Sequence, residues 1–181
     1  MRRLDPSRPV SDADLRKIVE AGTKAANGKN SQPVRWIVVT DPDVRRRLGE
    51  VYRRCAMKLL EGDADSPLTR SALHLADHLG HAPALIVACT EGERRRPASV
   101  FPAVQNVMLA ARALGLGTTL TTSHLEEEAE VRAILGLTDD IATYCVIPIG
   151  YPLGRWGEAR RKPVEEVTFR DRWGIPFRAE P

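Results

Sequence analysis

Apolar residues along this chain fall alternately into a helical rhythm and into short unbroken runs of strand length. A first helix is expected at Ser11. S-D-A-D resembles a capping box, Asp12 and Asp14 suit the positive end of a helix dipole, and Leu15, Ile18, Val19 and Gly22 mark one face. The polar, turn-rich stretch K-A-A-N-G-K-N-S-Q-P (24–33) ends it, and the β-branched run V-R-W-I-V-V-T (34–40) predicts a strand. Asp41-Pro42 opens a helix carrying Leu48, Val51, Tyr52, Cys55 and Leu59, with Gly62 as its stop. Ser66-Pro67 opens a shorter one carrying Leu68, Ala72, Leu75 and Leu79. A-P-A-L-I-V-A-C-T (82–90) reads as a second, buried strand, and a short basic loop (91–98) follows it.

The chain is organised around residues 99–122, read as helix, tight stop and strand. Ser99 is the expected N-cap, Pro102 falls in the first turn, and Gly115 supplies the left-handed stop. Only Gln105, Asn106 and Arg112 interrupt the apolar surface of that helix, which predicts burial on most sides, part of it under a second copy of the chain. G-T-T-L-T-T (117–122) predicts a third strand. Ser123 is expected to cap a helix with Glu126, Glu127 and Glu128 in its first turn and Gly136 at its end. A-T-Y-C-V-I-P-I-G-Y-P (142–152) predicts a fourth strand, and residues 166–170 a strand-like piece within an Arg-, Pro- and Trp-rich tail. Taken alone, this alternation suggests a layered domain with a parallel, doubly wound sheet.

Composition narrows the chemistry. The 181 residues fit one domain, 43% are hydrophobic, and a net charge of +3 is too small to argue for nucleic acid. No apolar run reaches the length of a membrane span and no signal peptide opens the sequence, so a cytoplasmic home is expected. Cys55, Cys89 and Cys145 lack metal-like spacing and read as buried, reduced thiols. His74, His78 and His81 read as a solvated helix face rather than a metal site. G-L-G at 115–117 follows a helix, the reverse of a dinucleotide fingerprint, and neither a phosphate loop nor a nucleophile elbow occurs. Catalysis, if any, is then expected to come from a bound cofactor.

Three segments in order, K-A-A-N-G-K-N-S-Q-P-V-R-W-I-V-V, P-A-V-Q-N-V-M-L-A-A-R-A-L-G-L-G-T-T, and I-P-I-G-Y-P-L-G with a trailing A-R-R-K-P-V-E-E-V, resemble the flavin-dependent nitroreductase family. The resemblance covers nearly the whole chain. It implies a single α+β domain over 1–181 with a three-layer, nitroreductase-like fold. The sheet would be mixed, largely antiparallel and four- to five-stranded, flanked by helices, which replaces the parallel reading. It further implies a homodimer with two FMN sites at the interface and residues 153–181 reaching the partner subunit. Hydride would pass from NADH or NADPH through FMN to a nitroaromatic, quinone or similar small acceptor.

The family roles map onto particular residues. Ala26, Asn27, Gly28 and Asn30, with Gln32 nearby, match the loop that meets the partner's flavin, although the N-G turn alone reads as a plain helix–strand connection. Leu120, Thr121, Thr122 and Ser123 match the stretch along the ring's reactive edge, where a backbone N–H near Thr122 and Ser123 donates to N5. No side chain is expected to be catalytic, because the flavin carries the chemistry. Arg160 and Arg161, with Lys162, resemble the basic pair that holds the phosphate, Arg161 most closely; an exposed basic tail is the plainer alternative. Arg2, Arg3 and Leu4 match the family's basic residue beside the flavin pyrimidine and the aliphatic one after it, a pair in which Arg2 is the candidate for contact near N1 and O2. The Arg-x-Ser element that precedes that pair in the family has no counterpart, since the sequence starts at Met1, and weaker FMN retention is the expectation. The short 91–98 loop implies an open site, with Trp156 as partial cover. Arg45–Arg47 and Arg94–Arg96 read as solvated surface. Two other classes stay open: a non-catalytic flavin-binding protein of this fold, and a basic surface module that has lost FMN.

Overall fold

The computed structural model describes residues 3–60, 66–92, 96–154 and 157–177. Arg2, Gly62, Trp156, Arg94 and Arg95 lie outside the described residues, and so do the expectations attached to them. In chain order the elements are α1 (Asp12–Thr23), β1 (Val34–Val39), α2 (Pro42–Leu59), α3 (Pro67–His78), β2 (Ala84–Glu91), α4 (Pro97–Ala113), β3 (Gly117–Thr118), α5 (Glu128–Leu135), β4 (Ile141–Gly150) and α6 (Val164–Val167). Single 3-10 turns occupy Gly28–Asn30, Leu79–His81 and Ser123–Glu127.

The capping logic holds where side chains decide it. Ser11 Oγ accepts from the Asp14 N–H, Asp41 Oδ1 from Asp43 and Val44, and Ser66 Oγ from Thr69. Gly115 takes a φ of 76° just past the end of α4, and Gly136 closes α5 in the same left-handed region. Elsewhere tertiary structure overrides local signals. α4 starts at Pro97, so Ser99 lies inside the helix and is buried instead of capping it. Ser123 begins a 3-10 turn, with α5 starting only at Glu128. The run at 117–122 is regular strand for two residues, then rejoins β4 in the same register through an isolated bridge from Thr121 to Val146. The tail piece expected as strand begins as the single turn α6, followed by a small hairpin closed by a Phe169–Pro176 bridge.

All described strand pairs are antiparallel, in the order β1-β2-β4-β3. Two helices separate β1 from β2, which returns the chain reversed. The single helix α4 does make β2 and β3 point the same way, but β4 lies between them. Helices therefore alternate with strands without producing one parallel pair.

Helices cover both faces. Leu15 and Ile18 of α1 and Val100, Val104, Val107 and Ala111 of α4 pack on Ile86, Ala88, Ile147 and Ile149. Leu48, Val51 and Cys55 of α2, with Leu75, Leu79 and Val131, pack on Leu85, Val87, Cys89 and Val146. Burial on both sides explains why β2 and β4 read as continuous apolar runs. Helices α1 and α4 approach so closely at Gly22 that a Cβ there would meet Val107 at 2.8 Å and Trp36 at 2.9 Å. A bulge opposite the Ala88–Cys89 step inserts Tyr144 into β4, and both Tyr144 and Cys145 face the α1/α4 layer.

One chain does not bury all of α4. Its outward side leaves Phe101, Leu109 and Leu114 exposed, at 40%, 57% and 37% of their surface. The tail 157–177 is exposed apart from half-buried Thr168 and Phe169, and Trp173 keeps 88% of its surface in solvent. No helix among the described residues is long and apolar enough to cross a membrane.

Candidate functional site

The connection from α1 to β1 holds a concentration of unusual backbone. Lys29, Asn30 and Gln32 take φ values of 56°, 51° and 47°. Left-handed backbone costs a non-glycine residue roughly 1–3 kcal/mol, so three cases within four residues need a surrounding structure that fixes them. That structure is present. Asn27 Oδ1 accepts from the Gln32 N–H at 2.8 Å, and Arg35 donates to the Gln32 carbonyl at 2.9 Å while its other nitrogen pairs with Glu91 at 2.7 Å. The start of α4 holds the other side, where the Gly28 N–H donates to Ser99 Oγ and Arg96 donates to Ser31 Oγ.

Asn27 thus staples the loop, while the side chains of Asn30 and Gln32 stay exposed and make no hydrogen bond among the described residues. Arg35, Arg96 and Ser99 are structural supports that sequence reasoning missed. Arg96 is consequently not idle surface. Nor is Arg45, which is half-buried and donates to the carbonyls of Thr40 and Ala82. Only a fold places these long side chains, because each bridges segments far apart in sequence.

Beneath the loop lies a cavity of about 230 Å³, bounded by Gly22, Asn27, Gln32, Trp36, Ser99 and Ala103. That is below the roughly 300–1,000 Å³ typical of a pocket enclosing a cofactor-sized ligand.

The second segment, 120–123, runs along the opposite edge of the sheet. Thr121 exchanges both backbone hydrogen bonds with Val146 at 3.0 Å and is buried, whereas Leu120 and Thr122 are exposed and Ser123 is half-buried. The loop before β1 and this segment beyond β4 are three strand spacings apart, about 14 Å laterally. One chain therefore does not bring them together around a single small ligand.

The candidate basic residues lie near the two ends of the described chain. Arg3 accepts the Leu153 N–H at its carbonyl, and Leu4 bridges to Pro152, which ties the amino-terminal segment to the root of the tail. The charge of Arg3, after burial and His78, helps hold His74 below the usual histidine range. Arg160 and Arg161 are exposed in that tail, Arg161 donating to the Arg160 carbonyl at 2.9 Å. Exposed guanidinium groups, two side-chain amides and a backbone edge, dispersed over one chain, are donors of the kind that a phosphorylated ligand with a planar, amide-bearing head takes.

Two further groups of titratable side chains occur in the fold. The rings of His74 and His78 stack with centroids 4.1 Å apart, and no group of metal-ligating side chains occurs among the described residues. The three cysteines are free and buried, and burial pushes the thiols of Cys89 and Cys145 up to about 12.

A profile of the nitroreductase family matches residues 1–151. By sequence the chain is similar to the NADH dehydrogenase of Thermus thermophilus, 30% identical over an alignment 188 positions long that takes in 89% of this chain and 86% of the relative. It is 28% identical over 158 residues, 83% of this chain and 79% of the relative, to a candidate NADH dehydrogenase/NAD(P)H nitroreductase of Archaeoglobus fulgidus. Its fold is similar to that of an iodotyrosine deiodinase crystallised with FMN and 3-iodo-L-tyrosine. The TM-score is 0.78 at 24% identity, over 94% of this chain and 92% of the other.

Proposed function

The chain belongs to the nitroreductase family, and on that premise we propose that it is an FMN-dependent oxidoreductase, active as a homodimer. It would accept reducing equivalents from NADH or NADPH and pass them to a small acceptor such as a nitroaromatic or a quinone. The single observation that supports this reading is the placement of the two candidate segments at opposite edges of one sheet. The loop with its left-handed run is half of a site, and residues 120–123 with the basic tail are the other half. A second copy seated on the uncovered side of α4 can set the loop of one chain against the edge segment of the other, giving two equivalent sites.

FMN, when bound, supplies the two-electron redox chemistry. The protein binds and orients it. Arg160 and Arg161 would hold the phosphate as charge-assisted donors, while Asn30 and Gln32 of the partner copy would offer amide groups to the ribityl chain and ring. Arg3 adds positive charge on the side where the tail leaves the sheet. The backbone at Thr122 and Ser123 would present an edge whose donors belong to the main chain rather than to the side chains of these two residues. The relatives named NADH dehydrogenase and NAD(P)H nitroreductase support a nicotinamide donor.

The test is spectroscopic. Protein reconstituted with FMN and freed of excess should be yellow, and NADH or NADPH added without oxygen should bleach it. A nitroaromatic or quinone should then restore the colour. A yellow protein that neither nucleotide bleaches would mean flavin storage instead, and failure to retain FMN after reconstitution would remove the flavin reading altogether.

A further inference from the structure

The bulge in β4 has a consequence on the opposite face of the sheet. With strict alternation Thr143 would share a face with Cys145, Ile147 and Ile149, toward α1 and α4. The extra residue, Tyr144, reverses the phase, so Thr143 lies opposite Cys89 and faces the α2/α5 layer. There its N–H and its hydroxyl both donate to Glu128 Oε1, at 3.0 and 2.7 Å. Having given its proton to Glu128, the Thr143 hydroxyl accepts from His124, whose Nε2 lies 3.1 Å away. This chain of bonds fixes the proton on Nε2 of an imidazole that is only 1% exposed. The Tyr144 side chain meanwhile accepts the Arg96 N–H at the start of α4, so one bulge serves both faces.

His124 directly follows the segment that lines the sheet edge. On its other side that segment is pinned at Thr121, whose N–H, carbonyl and hydroxyl are all bonded to Val146. Thr122 and Ser123 are therefore strung between two anchors on the same strand, Val146 and Thr143. We propose that Thr143, aimed by the bulge and held by Glu128, is a positioning residue that fixes the Thr122–Ser123 backbone against which the cofactor ring lies. This rests on the flavin reading above only for what the backbone meets; the clamp itself belongs to the chain alone. Bulges beside functional sites commonly re-aim one side chain in this way.

The experiment compares Thr143→Val, which keeps the shape and loses the hydroxyl, with Thr143→Ser, which keeps the hydroxyl. Amide exchange of the flavin-free protein tests the clamp. In T143V the peptide spanning 121–125 should exchange about tenfold faster while peptides from β2 stay unchanged, and T143S should match the parent. In the FMN-loaded protein T143V should bind FMN about tenfold more weakly. It should also raise the flavin midpoint potential, because a fixed N–H at the ring favours the oxidised form, whose nitrogen there only accepts. Unchanged exchange and unchanged potential in T143V would overturn the proposal. Should T143V lose its near-UV signal, Glu128→Gln carries the same comparison, with a smaller rise in exchange expected and parent-like exchange counting against the clamp. If the parent chain failed to bind FMN, the flavin reading would fall, while the exchange result would still decide the clamp.

Discussion

Cys89 and Cys145 sit in the two central strands, where burial pushes their thiols to about 12, with the charge of Glu128 adding to the rise at Cys89. Burial also raises the Cys55 thiol. At pH 8 all three stay protonated and out of reach, so native protein should resist iodoacetamide and take up three labels once unfolded in guanidinium, counted by mass spectrometry. Labelling of any one at the rate of a free thiol would contradict the packing. His74 carries the opposite sign. Its burial, then His78 and Arg3, favour the neutral ring and lower its folded-state value from 6.5. The stability this contributes is complete above pH 6.5 and is lost as pH falls toward the folded value, because the unfolded chain takes up the proton first. An NMR titration should place the His74 midpoint below 6.5; a midpoint at or above it would refute the arrangement. At this scale the sequence disclosed the buried thiols, since strand-like runs surround two of them. It did not disclose Ser99, Arg96 or Arg45, whose partners lie 71, 65 and 37 residues away.

Helices whose starts are set by their own side chains, α1, α2 and α3, were legible from Ser11, Asp41 and Ser66. The segment after β3 was not, because T-T-L-T-T-S fits a strand, a turn or a cap, and the Thr143–Glu128 network decides among them. Helix α4 shows what remains to be covered. Val100, Val104, Val107 and Ala111 face the sheet, while Phe101, Leu109 and Leu114 look outward. Leu109 is exposed in the single chain, so Leu109→Glu leaves the monomer core intact and places a charge where a second copy would sit. Equilibrium sedimentation should show at least a hundredfold weaker self-association, consistent with an unpaired buried charge costing several kcal/mol. FMN should leave with the dimer. A dimer of parent strength would mean that the interface lies elsewhere.

For the whole molecule, the three-layer α+β domain follows from apolar runs that need cover on both faces, but strand direction does not follow from helix–strand alternation. Only pairing partners distant in sequence settle it, and β4 between β2 and β3 is such a partner. The proposed site would share that property, since its candidate halves occupy opposite edges of the sheet and each chain would carry one half of two sites. The tail completes the picture with Val164, Val167, Trp173, Ile175 and Phe177 exposed at 44–88%. Burying five such side chains contributes roughly 1.5–3 kcal/mol each, enough to make their removal visible. Truncation after Leu153 should accordingly lower the melting temperature and abolish FMN retention together, whereas an unchanged melting curve would show that the tail covers nothing. On the proposed arrangement FMN would bind only where two chains meet. Sedimentation velocity of the FMN-loaded protein, followed by the flavin's visible absorption and diluted through the dissociation range, distinguishes this from binding by one chain. All flavin absorption should travel with a species of two 20.0-kDa chains carrying one FMN each; flavin travelling with the single chain would rule out a site shared between chains.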